Sequence, residues 1–233
     1  MKEVRTIFYY FLLSIIATFL ILMMVFLQPI IDNKITIFDK FFVVGLFFTS
    51  CTFGITIAIY PNWWRKNKRN TNHTSNLQKI KTSRSFKGHH PDCSMFRSHI
   101  VIISNKPRCA GCLGLTIGTL ISIFLMTLYL IFPVELSLNL YYILFLIGIF
   151  VLFFVYGEIM FFKRKNFFHI LLNILFILSF FAITISVLEI TKNLLYATIT
   201  IVMCFLWLNT RILFSKYQHM KICFSCIQEC KSY

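Results

Sequence analysis

Six apolar runs decide what this chain can become. They are Ile7–Leu27, Phe41–Tyr60, Leu113–Phe132, Tyr141–Phe162, Phe167–Leu188 and Leu194–Phe214. Each is close to the roughly 20 residues a helix needs to cross a hydrocarbon core. In lipid every backbone N–H and C=O has to be satisfied within its own segment, which selects helices over irregular chain. Only 13% of the residues are charged and 58% are hydrophobic, whereas soluble domains carry about 25% charged residues. The expected fold is therefore all-α: an integral membrane bundle of about six transmembrane helices. The first run follows Lys2 and Arg5, is longer than a signal-peptide core and lacks a small-residue cleavage site, so it reads as a retained span.

The connections Gln28–Lys40, Pro133–Leu140, Lys163–Asn166 and Glu189–Asn193 are short. Trp63–Arg108 is the one long polar stretch, and its first half is too poor in apolar residues to form a core. The layout this implies is spans one and two in 1–61, a basic Cys/His-rich loop in 62–112, spans three to six in 113–214 and a Cys-rich tail in 215–233.

Charge orients the bundle. With the N-terminus inside, 20 of the 23 Lys and Arg residues fall on one side, against Lys34, Lys40 and Lys192 on the other. Such a split follows the positive-inside rule. It predicts cytoplasmic N- and C-termini, a cytoplasmic long loop and a multi-pass protein of the plasma membrane. Topology and attraction to anionic lipid head groups account for the net charge of +15. No aromatic platform or reading helix accompanies the charge, so nucleic acid is not the indicated partner.

Thiols and imidazoles gather at the polar ends of the spans. His89, His90, Cys93, His99, Cys109 and Cys112 lie in the loop, and His219, Cys223, Cys226 and Cys230 in the tail. On this topology all ten face the reducing cytoplasm, where clustered cysteines bind metal or do redox chemistry rather than form stable disulfides. Cys109-Ala-Gly-Cys112-Leu-Gly114 has the form of a metal knuckle: two cysteines three apart can place both sulfurs on one ion, and the glycines let the backbone approach them. Cys93 and His99 would complete a four-ligand set, with His90 the next best donor and His89 and His219 either ligands or neighbours of ligands.

The tail spacing of 4, 3 and 4 residues makes one stripe if span six continues as a helix. That stripe would be about 16 Å long, too long for one ion to take all four residues. Mixed nitrogen and sulfur ligation favours zinc, one or two ions, with an iron–sulfur cluster as the alternative. Cys51 and Cys204 lie inside spans and read as packing residues; His73 and His169 read as non-ligands.

The His89-His90-Pro91-Asp92-Cys93 segment with His99, the CAGC–x–G that opens a span and the terminal H–x3–C–x2–C resemble a family of prokaryotic multi-pass membrane proteins of undefined function. That family carries a Cys-His-rich loop before a CxxC-containing span, and the likeness covers chiefly residues 88–118. It implies a shared fold and a metal site, but brings no reaction. Where the family commonly has Thr after the second CxxC cysteine, this chain has Leu113.

Inside the spans, Gly114, Gly118 and Ser122, and likewise Ser50, Gly54 and Ala58, recur every four residues, a spacing that lets helices approach closely. Glu158 is expected to be the one acidic residue within a span, near the interface, with Asn209 and Arg211 as partners. The sequence points to a metal-held cap on a membrane bundle, with a structural, sensing or scaffolding role. The alternatives are a membrane thiol or iron–sulfur oxidoreductase using Cys109 and Cys112, and, more weakly, a metal-ion transporter with Glu158 on its path. No Walker loop, serine nucleophile elbow or catalytic carboxylate pair is present, so the sequence names no enzyme activity.

Overall fold

The structure, a computed structural model, describes residues 2–27, 35–59, 100–103, 106–132, 136–161 and 166–224. Among these residues are six helices: α1 Lys2–Phe26, α2 Ile37–Ile59, α3 Ala110–Ile131, α4 Leu138–Phe161, α5 Asn166–Thr191 and α6 Leu194–Phe224. All six are long and apolar enough to cross a membrane. Between α2 and α3 lie two short strands, β1 Ile100–Ile103 and β2 Lys106–Cys109, paired antiparallel from Ile100↔Cys109 to Ile103↔Lys106. The expected all-α bundle therefore gains a hairpin. Four consecutive β-branched residues, Ile-Val-Ile-Ile, supply its first strand.

The helices start where polar side chains can satisfy free backbone N–H groups. Thr36 and Asp39 form a capping box on α2, the Asp39 amide donating to Thr36 Oγ1 (3.1 Å) and the Thr36 amide to Asp39 Oδ2 (2.9 Å). Asn193 Oδ1 accepts from the Leu195 amide at the head of α6 (2.9 Å). Lys192, with φ of 49°, ends α5 by a left-handed turn in which its amide bonds Leu188 O.

α5 is the hub. Of its membrane-crossing length 67% is buried, against 44% for α6 and 22–28% for the other four. It packs most extensively on α3 and α4 and also meets α6. Small residues make this possible, as helix association in lipid requires. A Cβ on Gly114 would stand 2.6 Å from Ile170 O and 2.8 Å from Asn173 Cβ, and one on Gly118 2.9 Å from Ile174 Cα. The α3 stripe thus acts as a packing seam. The stripe on α2 differs, because the space beside Gly54 is open. α4 uses Gly148 in the same way as α3, against Ile183 of α5.

α1, α4 and α6 share a polar core of their own. Ser14 and Thr210 exchange a hydrogen bond at 2.7 Å, Trp207 Nε1 donates to Ser14 O (3.4 Å), and Tyr156 OH donates to Trp207 O (2.8 Å).

Three element boundaries differ from the sequence expectation, each with a consequence for the site. α3 begins at Ala110 rather than Leu113, so Cys112 lies in its first turn. α5 continues through Thr191, so Glu189 is helical rather than part of a connection, and Glu158 is not the sole acidic residue within a span. α6 runs on to Phe224, ten residues past Phe214, which places His219 and Cys223 on helical backbone.

Candidate functional site

The starts of α3 and α5 and the later part of α6 meet at one pole of the bundle. Cys109 closes β2 and caps α3 with an extended backbone (φ −68°, ψ 123°), and its side chain makes no capping hydrogen bond. Its thiol lies beside that of Cys112, near enough for the two to interact directly. Both thiols are partly exposed. The spacing that suggested a knuckle thus places the two sulfurs side by side, as one metal ion or one disulfide would need.

Behind the thiols stands a buried polar group that sequence reasoning did not assemble. A Cβ on Gly111 would lie 3.3 Å from His169 Nε2, 3.4 Å from Arg211 Nη2 and 3.8 Å from Cys109 Sγ, so the first turn of α3 sits directly against this group. Arg211 Nη2 donates to Asn173 Oδ1. Asn173 Nδ2 in turn donates to His169 O (2.5 Å) and lies 3.4 Å from His169 Nδ1. His169, Asn173 and Arg211 are all buried.

Arg211 thus bonds Asn173 of α5 and stands beside the CxxC pair. Glu158 itself is buried on α4 near the same pole, where Gln218 of α6 reaches Met160 O (3.4 Å). A sequence signal for this group existed: His169 and Asn173 are one helical turn apart in an apolar span, and Arg211 is a charge inside span six. What the sequence could not supply was the α3–α5 seam that brings them under Gly111.

Among the described residues no group of three or more His, Cys, Asp or Glu side chains forms a metal-ligand set. Cys109 and Cys112 are the two sequence-selected residues whose side chains the structure describes and brings together. His219 and Cys223 are described in their backbone only, and His89, His90, Cys93, His99, Cys226 and Cys230 lie outside the described residues. Cys51 and Cys204 are buried in the bundle on α2 and α6, as expected of packing residues, and line a small apolar cavity of about 50 Å³ with Phe47 and Phe205.

The opposite pole carries a second ionic group, absent from the sequence reading. Glu189 accepts from Tyr129 OH at Oε1 (2.5 Å) and from Lys192 Nζ at Oε2 (2.5 Å), and Lys40 Nζ stands 3.4 Å from Oε1. The Lys40 ammonium also lies 5.0 Å above the Tyr129 ring. This cluster ties α2, α3 and α5 together.

No protein-family model, curated protein or solved structure matches the chain.

Proposed function

We propose that this is a multi-pass plasma-membrane protein that holds a zinc-type metal ion at its cytoplasmic pole. Cys109 and Cys112 supply the core of the site, the Cys/His loop and the tail supply the remaining ligands, and the metal joins them beneath the bundle. The role is structural, sensing or scaffolding. The observation that carries the reading is the adjacent thiol pair at the head of α3. Adjacent thiols at a helix start present two sulfurs to one ion with little rearrangement, and a tetrahedral site then needs two more donors. The continuation of α6 through His219 and Cys223 supports a contribution from the tail, because it carries the first half of the tail stripe away from the span on helical backbone. In this orientation the basic loop faces anionic head groups.

The same pair favours a second reading. Two neighbouring thiols can pass two protons and two electrons to a disulfide or quinone oxidant and close a disulfide, so a thiol oxidoreductase also fits. The two readings part on Cys109→Ser and Cys112→Ser. Under the metal reading each variant, purified anaerobically, loses most of its bound zinc. Wild-type protein that is metal-free, with Cys109 and Cys112 cycling between thiol and disulfide, would instead establish the redox reading.

A further inference from the structure

α1, α4 and α6 leave a groove open between them at the pole that carries the thiol pair. α1 contributes Val4, Phe8 and Phe11, and α4 contributes Phe153, Gly157 and Met160, in each case the i, i+4 and i+7 positions of one helical face. Phe11, Tyr156 and Phe214 pack together in its lining, their ring centroids 5.6–6.4 Å apart in all three pairs. The hydroxyl of Tyr156 is already given to Trp207 O. The groove measures about 390 Å³, within the roughly 300–1,000 Å³ of small-molecule sites. Gly148, earlier on α4, is closed over by Ile183, whereas a Cβ on Gly157 would meet nothing within 4 Å. Every lining residue falls within a membrane-crossing stretch, so the groove opens on hydrocarbon rather than water. Left empty, its walls would forfeit dispersion contacts that an acyl chain restores.

Charge selects which lipid. The helix ends beside the groove carry Lys2 and Arg5 on α1 and Lys216 and Lys221 on α6, against Glu3 on α1 and a buried Glu158 on α4. Arg5 adjoins Val4 and Lys216 adjoins Tyr217, two lining residues, and both cations are exposed. We propose that this groove seats one acyl chain of an anionic phospholipid whose phosphate lies at the mouth, beside Arg5 and Lys216. A zwitterionic lipid fills the same space but gains nothing from the excess of positive charge, which favours an anionic head group roughly fivefold for each basic residue near the surface. No thiol or imidazole takes part, so the proposal stands or falls apart from the metal reading.

The test is native mass spectrometry of the full chain, delipidated in detergent and titrated with phosphatidylglycerol and, separately, with phosphatidylcholine of the same acyl chains. Wild-type protein should bind one phosphatidylglycerol roughly 5–25-fold more tightly than phosphatidylcholine, the gain from one or two cations. Arg5→Gln should lower that preference about fivefold. Gly157→Phe, which fills open space, should abolish the tight site while leaving the unfolding midpoint at or above that of wild type. Equal affinity for the two lipids overturns the proposal, as does an Arg5→Gln protein with the wild-type preference. A folded Gly157→Phe protein that binds phosphatidylglycerol as wild type does also overturns it. Where Gly157→Phe does not fold, wild-type protein decides: phosphatidylglycerol carrying a diazirine on its acyl chain should label residues 4–11 or 153–160. Labelling confined to other stretches, or none because a segment of the chain itself fills the groove, overturns the proposal.

Discussion

The two poles of the bundle handle buried charge in opposite ways. At one, Glu189 is closed in by Tyr129 OH, Lys192 and Lys40, three donors from three helices or their ends. At the other, Arg211 is buried against a neutral amide and two thiols, with a donor left over. A carboxylate whose partners are all in place is part of the fold and asks for nothing more. None of the described ion pairs gives Arg211 a carboxylate, so its neighbourhood is where an added anionic ligand would gain most. On the metal reading proposed above, the first pole serves stability and the second serves binding.

That contrast can be broken most forcefully at the seam supporting the thiol pole. Gly114→Val would drive a branched side chain into Ile170 O and Asn173 Cβ, already 2.6 and 2.8 Å from a bare Cβ. Backbone lies on the far side and cannot yield as a side-chain tip would. The expected loss is at least about 3 kcal/mol, the upper end of ordinary overpacking, read as a lowered unfolding midpoint in detergent together with lost metal. A Gly114→Val protein with wild-type stability would mean that α3 and α5 are not seated as described.

The next effects differ in kind between the poles. Glu189→Ala leaves Lys192 and Lys40 without their acceptor and should cost about 2–3 kcal/mol, somewhat below the roughly 3–5 kcal/mol for breaking a fully buried pair because both lysines are about a third exposed. Metal content should stay at the wild-type level. Arg211→Met, of similar length and apolar, should behave in the reverse sense. The metal-free protein should unfold within about 1 kcal/mol of wild type or later, since replacing an uncompensated buried charge with a packed apolar side chain is often neutral or stabilising, while metal affinity falls. Equal destabilisation of both metal-free variants would erase the distinction between the poles.

The smallest expected effect lies between them. Ser14→Ala removes the 2.7 Å bond to Thr210 that links α1 to α6. Interhelical hydrogen bonds in membrane proteins average about 0.6 kcal/mol, so a shift of that order, with metal content unchanged, is anticipated. A loss several times larger would show that the α1–α6 contact carries more of the fold than the hub arrangement allows.

The six spans were legible because apolar runs of this length have few other uses. Their ends were less so, and for physical reasons. A charged residue after an apolar run usually marks the interface, and on that ground Glu189 reads as connection; packed against Tyr129 and held by two lysines, it stays helical instead. Cys109 and Cys112 read as loop residues because nothing in CAGC requires a helix, yet β2 delivers Cys109 in the extended conformation that caps one, and the small residues Ala110 and Gly111 are buried in the first turn.

The pairing of the two thiols was foreseen from their spacing. The group behind them was not. His169 read as a bystander and Arg211 as a partner for Glu158, because their meeting under Gly111 depends on three helices, α3, α5 and α6, coming together, with His169 58 residues from Gly111 and Arg211 42 residues from His169, which leaves no local trace. The ligands expected from the loop and the distal tail fall on residues 60–99 and 225–233, outside those the structure describes.

The central claim, that the thiol pole is a metal site, is tested most directly by elemental analysis of purified wild-type protein with its visible absorption spectrum recorded on the same sample. The account predicts roughly one or two zinc ions per chain in a colourless protein, in keeping with closed zinc sites. A protein free of metal would contradict it, and a brown one rich in iron and sulfide would replace zinc with a cluster.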